Sequence, residues 1–188
     1  NFPGHLPNGH IVPALLAGNA VVFKPSEIAP WTGEVMARAW AEAGLPDGVL
    51  QLAQGARETG AALIGGDIDG LLFTGSSAAG RAFRRAFIDR PHVMLALELG
   101  GNNPLIAWDG DPEAVARVIA MSAFITTGQR CSCARRLIVP EGATGDAFIE
   151  ALAALIDRLP VAAWSDAGDA FMGPLVSVQA AERALDMV

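Results

Sequence analysis

A chain of 188 residues, 52% hydrophobic and 18% charged, is long enough for one large domain or parts of two and too apolar to be disordered. Its net charge of -7 excludes a nucleic-acid backbone as partner, because no basic patch would displace counterions. Two cysteines, Cys131 and Cys133, are too few for a disulfide framework. Free thiols point to a reducing compartment, the cytoplasm. No apolar run reaches the ~18 residues of a membrane span, so no membrane partner is expected, and no signal peptide is visible.

In chain order, Leu6 to Ala17 reads as a helix stopped by Gly18-Asn19. Ala20 to Phe23 is a short apolar strand. Thr32 to Ala43 has helical spacing (Val35, Met36, Ala39, Trp40, Ala43) and ends at Gly44-Leu45-Pro46. Val49 to Leu52 is a strand, Arg57 to Ile64 a helix and Leu71 to Phe73 a strand. Ser77 to Ile88 is a helix and Val93 to Leu97 a strand. Short apolar strands separated by helices predict a parallel sheet covered on both faces, a Rossmann-type α/β layer. After Gly100-Gly101 the pattern resets. Pro104 to Ala107 is a strand. Asp111 caps a helix that runs to Thr126, with Pro112 in its first turn. Arg136 to Val139 is a strand, Asp146 to Leu159 a helix and Pro160 to Pro174 mostly loop. Val176 to Val188 reads as a helix without a stop signal. With Asn1 as first residue, both ends read as cuts in a longer protein. The domain border is expected at Leu99.

Several residues are candidates for chemistry. Cys131 follows a predicted helix in Gly128-Gln129-Arg130-Cys131-Ser132-Cys133. A loop thiol beside a cation is a candidate nucleophile. A lone Cys is more often a small buried hydrophobe, and a C-x-C metal clip is disfavoured because no second pair completes a zinc set. Glu98 ends an apolar strand against glycines, where a desolvated carboxylate can act as a general base. The alternative is an ion-paired or capping Glu. Thr74-Gly75-Ser76 joins a strand to a helix containing Gly80, so backbone N–H groups there can meet a pyrophosphate; it also reads as an ordinary turn. Lys24 and Glu27 follow a strand and can meet ribose hydroxyls, or be a solvated pair. An amide such as Asn1 can donate to an oxyanion. His5, His10 and His92 leave open a Cys-His thiol hydrolase.

The order of these segments is more telling than any one of them. Asn-Phe-Pro at 1–3, Gly-Asn-Ala-Val-Val-Phe-Lys-Pro-Ser-Glu at 18–27 and Phe-Thr-Gly-Ser at 73–76 resemble the aldehyde dehydrogenase superfamily. So do Leu-Glu-Leu-Gly-Gly-Asn-Asn-Pro at 97–104, Gly-Gln-Arg-Cys at 128–131 and Gly-Pro-Leu-Val at 173–176. The resemblance implies that residues 1–99 are the C-terminal part of an NAD-binding domain and residues 100–188 the N-terminal part of the catalytic domain. It implies Cys131 as nucleophile, Glu98 as the base that activates water, and Asn1 with the Cys131 N–H as oxyanion donors. Lys24, Glu27, Gly75, Ser76, Gly80 and Leu99 would contact NAD, with Glu27 repelling a 2′-phosphate. It implies a small-molecule aldehyde substrate, no metal, and a homo-oligomer of the full-length protein. Gly4 to His10, Leu97 to Pro104 and Ser122 to Arg136 are most similar to the branch that oxidises a dianionic semialdehyde in arginine breakdown. A basic pocket with Arg130 or Arg135 would suit that substrate. Family members are much longer, so an inactive nucleotide-binding fragment is the competing expectation.

Overall fold

The computed structural model describes residues 1–166 and 168–186. The last two residues of the expected terminal helix, and one residue of the expected loop before it, lie outside that set. The chain divides into two compact units, Asn1–Leu99 and Gly100–Val188.

The first unit begins with α1 (His5–Leu16), followed by β1 (Val21–Phe23), α2 (Pro30–Glu42) and β2 (Leu50–Leu52). Next come α3 (Arg57–Gly65), β3 (Gly70–Gly75), α4 (Ser77–Ala86) and β4 (Met94–Leu99). β1 pairs in parallel with β2, and β3 with β4. Each pair needs a crossover, and α2 and α4 supply it. Proline in the first turn of α2 explains its start at Pro30, two residues ahead of the expected one: φ is preset and no helical donor is lost. The β3–β4 ladder runs on through Thr74 opposite Glu98 and Gly75 opposite Leu99. Glu98 therefore sits inside a strand rather than after it. Arg90 ties the unit together. Its guanidinium donates to the carbonyls of Ile64 (2.9 Å) and Gly66 (2.8 Å), closing the C-terminal end of α3, and lies 4.9 Å over the Phe87 ring.

The second unit contains β5 (Asn103–Ile106), α5 (Pro112–Phe124), a short 3₁₀ turn (Ile125–Gly128), β6 (Ala134–Ile138), α6 (Ala143–Ile156) and α7 (Val178–Leu185). β5 and β6 are again parallel, with α5 as crossover. Asp111 Oδ2 accepts from Ala114 N at 2.9 Å, capping α5 as its sequence predicts. Ala116, Ile119 and Ala120, spaced for one helix face, are buried. Ile119 and Ala107 pack on Phe148 of α6, which is fully buried, with Leu105, Val115, Leu137, Val139 and Leu152 around them.

The class expected from the alternation, α/β with parallel strands, is the class observed. Among the described residues the six strands form three separate two-stranded pairs. α5 ends at Phe124 instead of Thr126, because Thr126 and Thr127 take left-handed conformations (φ 55° and 58°). No described helix is long and apolar enough to cross a membrane.

Candidate functional site

Three clusters collect the candidate residues, two in the first unit and one in the second. In the first unit, Lys24 follows β1 and its ammonium donates to the carbonyls of Pro25 (2.9 Å) and Gly55 (2.8 Å). It thereby ties the chain leaving β1 to the loop that follows β2. Glu27 lies within 3.9 Å of the same ammonium and keeps most of its carboxylate in solvent. Glu27 opens onto a groove of about 540 Å³, a volume suited to a small ligand. Pro30 and Trp31 of α2 give the groove a flat apolar wall, and Gln54 and Gly55 border it. Gln54 is fixed by donating to the Pro30 carbonyl at 2.9 Å. Glu34 and Arg38, one and two turns along α2, also line it, and the Arg38 guanidinium lies 5.4 Å over the Trp31 ring. Trp31, Glu34, Arg38 and Gln54 did not stand out in the sequence.

The second cluster of the first unit is the β3–α4–β4 motif. Ser76 caps α4, its Oγ accepting from Ala79 N at 3.2 Å. That bond answers one of the open N–H groups of the helix start; an anion can answer others. Gly80 is buried, and a Cβ there would come within 2.7 Å of Leu99 Cδ1. Its bare backbone lets α4 close on β4, so its direct effect is on packing. Gly75 and Leu99 face one another in the ladder. Gly75, Ser76, Gly80 and Leu99 are thus brought into one motif, whereas of Lys24 and Glu27 only Glu27 lines the groove, with the Lys24 ammonium beside it. Asn1 lies exposed ahead of α1. Glu98 is exposed in this chain, not desolvated as its apolar strand suggested, because its side of β4 carries no cover here. His10 is engaged at the end of β3, with its Nε2 3.3 Å from Thr74 Oγ1.

In the second unit, Cys131 is exposed and Cys133 is buried, at 2%. Cys133 N donates to Arg130 O at 3.2 Å, closing a tight turn with Cys131 at its first central position. The Asn103 amide donates to the carbonyls of both Cys131 (2.6 Å) and Cys133 (3.0 Å). A Cβ on Gly101 would come within 2.6 Å of Cys131 O, so only glycine admits this approach. Upstream, the turn hangs from the left-handed pair Thr126 and Thr127. Left-handed β-branched residues are strained and need outside support. Thr127 Oγ1 donates to Gly173 O at 3.0 Å, and Arg130 Nε donates to Thr126 Oγ1 at 3.1 Å.

Arg135 donates to the carbonyls of Gly128 and Ala134. Its fork braces backbone. Arg130 and Thr126 border a second cavity of about 560 Å³, with Trp164, Asp166, Asp169 and Phe171 among its walls. Its charged lining is one Arg and two Asp. Among the described residues no group of three or more His, Cys, Asp or Glu could hold a metal ion.

The model of the aldehyde dehydrogenase family matches residues 1–188. N-succinylglutamate 5-semialdehyde dehydrogenase 2 of Caulobacter vibrioides is 66% identical over 189 residues, covering 100% of this chain and 39% of that protein. Lactaldehyde dehydrogenase from Escherichia coli superposes with a TM-score of 0.90 at 34% identity, covering 98% of this chain and 39% of that one. 1-Pyrroline-5-carboxylate dehydrogenase from Thermus, solved with bound NAD, gives a TM-score of 0.90 at 30% identity, covering 99% and 37%. The chain therefore spans somewhat over a third of the length of these relatives.

Proposed function

The chain belongs to the aldehyde dehydrogenase family, and from that premise we propose that its full-length protein oxidises an aldehyde to a carboxylic acid with NAD. In this reading Asn1–Leu99 is the C-terminal part of the NAD-binding domain. Gly100–Val188 is the N-terminal part of the catalytic domain. The observation that carries the reading is the exposed Cys131 thiol on a turn pinned at two carbonyls, next to a Cys133 that is buried. Of the two thiols, only Cys131 is open to a carbonyl carbon.

The groove beside Glu27 fits the adenosine end of the cofactor. Trp31 and Pro30 offer an apolar wall to a base, and the Glu27 carboxylate can accept from a ribose hydroxyl pair. Lys24 holds Glu27 in place as well as binding backbone. Two carboxylates, Glu27 and Glu34, make the groove hostile to an added 2′-phosphate, and Arg38 is stacked on Trp31. That balance favours NAD over NADP. The start of α4 after Gly75-Ser76 suits a pyrophosphate, with Gly80 and Leu99 setting how closely helix and strand pack.

When bound, NAD supplies the hydride acceptor. The protein's own steps start with the Cys131 thiolate adding to the aldehyde carbon. Asn1 and the Cys131 N–H stabilise the resulting oxyanion of the thiohemiacetal. Oxidation leaves a thioester on Cys131. Glu98 then takes a proton from the water that hydrolyses it, freeing the acid and the thiol. The preferred substrate is N-succinylglutamate 5-semialdehyde; the support is the 66% identity with the Caulobacter relative of that name, running the length of this chain. The full-length protein acts in the cytoplasm as a homo-oligomer.

The test is NADH formation by the full-length protein, offered N-succinylglutamate 5-semialdehyde beside a simple aliphatic aldehyde. Cys131→Ser should lose at least ~10³-fold in turnover while NAD still binds. Glu98→Gln should release one burst of NADH and then stall. Residual turnover near wild type in Cys131→Ser would remove the nucleophile. Turnover of the aliphatic aldehyde alone would remove the substrate and keep the chemistry.

A further inference from the structure

Pro104, the second residue of β5, has no N–H to give the ladder. The register slips at that point. Asn103 pairs with Ala134, but Pro104 pairs with Arg136, leaving Arg135 as an extra residue on β6. A bulge of this kind re-aims side chains next to functional sites. Here the two side chains at the slip both reach the segment that carries Cys131. The Asn103 amide grips the carbonyls of Cys131 and Cys133, on either side of Ser132. The Arg135 guanidinium grips the carbonyl of Gly128, three residues ahead of Cys131, where the backbone is still left-handed.

We propose that Asn103 and Arg135 are positioning residues for Cys131: the β5–β6 bulge aims both at the backbone carbonyls around the thiol, so that strand geometry sets the direction of attack. The proposal rests on Cys131 being the nucleophile. Neither side chain needs to touch substrate. Three carbonyls fixed around one short loop hold the peptide planes that determine where Sγ points. Without them, the strained Thr126–Gly128 backbone has a route to relax. A nucleophile displaced by about 1 Å loses roughly a hundredfold in rate.

In this account Arg135 serves every aldehyde alike, whereas an anchor for a substrate carboxylate would serve only charged ones. The experiment uses the full-length protein with Asn103→Ala, Arg135→Met and Cys131→Ser. It measures kcat and KM for the succinylated semialdehyde and for an uncharged aldehyde. It also measures iodoacetamide alkylation at Cys131 by mass spectrometry. Asn103→Ala and Arg135→Met should each lower kcat and the alkylation rate about 10- to 100-fold. The loss should be equal for both aldehydes, with KM for NAD unchanged. If Arg135→Met raises KM for the charged aldehyde alone and leaves alkylation intact, Arg135 is a substrate anchor and its part in the proposal falls. Wild-type kcat and alkylation in Asn103→Ala would overturn the clamp. Should that variant not fold, Asn103→Ser, which keeps one donor, should show an intermediate loss; wild-type rates there overturn the proposal equally. Turnover surviving in Cys131→Ser removes the nucleophile itself, a result distinct from failure of the clamp.

Discussion

The two units place their candidate residues by different means. In Asn1–Leu99 the α4 start is made of backbone and close packing: a glycine under Leu99 and a helix terminus capped by Ser76. In Gly100–Val188 the thiol turn is made of side-chain hydrogen bonds above a coherent core of Ala107, Ile119 and Phe148. The difference teaches what each site can tolerate. A backbone-built site fails when atoms are added to it. A site clamped by side chains fails when donors are taken away or when the platform under it is weakened.

The largest effect should come from the platform. Phe148 is fully buried between α5, α6 and the β5–β6 pair, so Phe148→Ala should cost about 3–5 kcal/mol. Denaturant unfolding of the full-length protein, followed by Cys131 alkylation, should show the thiol segment released early while NAD binding persists. Simultaneous loss of both functions at one midpoint would erase the distinction between the units. The next effect is in the other unit and of the opposite kind. Gly80→Ala pushes a methyl group against Leu99, at about 1–3 kcal/mol, part of it relieved by rotation of the leucine. NAD affinity should fall roughly fivefold, with the alkylation rate of Cys131 unchanged. A wild-type Kd for NAD, by isothermal calorimetry, would show that α4 does not set the cofactor site. The smallest effect is electrostatic. Glu27→Gln removes one exposed charge, worth about 1 kcal/mol or less, so the preference for NAD over NADP should relax by tenfold or less. The kcat/KM ratio for the two cofactors measures it, and no change would take Glu27 out of the groove's selectivity.

Local signals were legible in the sequence. Asp111-Pro112 announces the start of α5, and Ser76 caps α4 where a strand meets a helix. Alternation of short apolar strands with helices gave the parallel α/β class. Signals that depend on the third dimension were not legible. Asn103 looks like any turn-forming amide, because the carbonyls it holds are 28 and 30 residues away. Trp31 and Arg38 share one face of α2, but no spacing links them to Gln54, which the groove brings in from the loop after β2. Thr126 reads as the last residue of the α5 helix, since β-branched residues seldom turn left-handed and nothing local says that Thr126 and Thr127 do. Arg135 invited reading as an anion anchor, and only the slipped register shows why it faces the Gly128 carbonyl.

The pairing of each strand with the next one along the chain bears on how the molecule is made. Val21 waits for Leu50, Gly70 for Met94 and Asn103 for Ala134, and no pair is nested within another. At ribosomal speeds of about 5–20 residues per second, the roughly 30 residues between partners take a few seconds to appear. Loop closure over that length is far faster than that. Each parallel strand–helix–strand unit can therefore close before the following one leaves the ribosome.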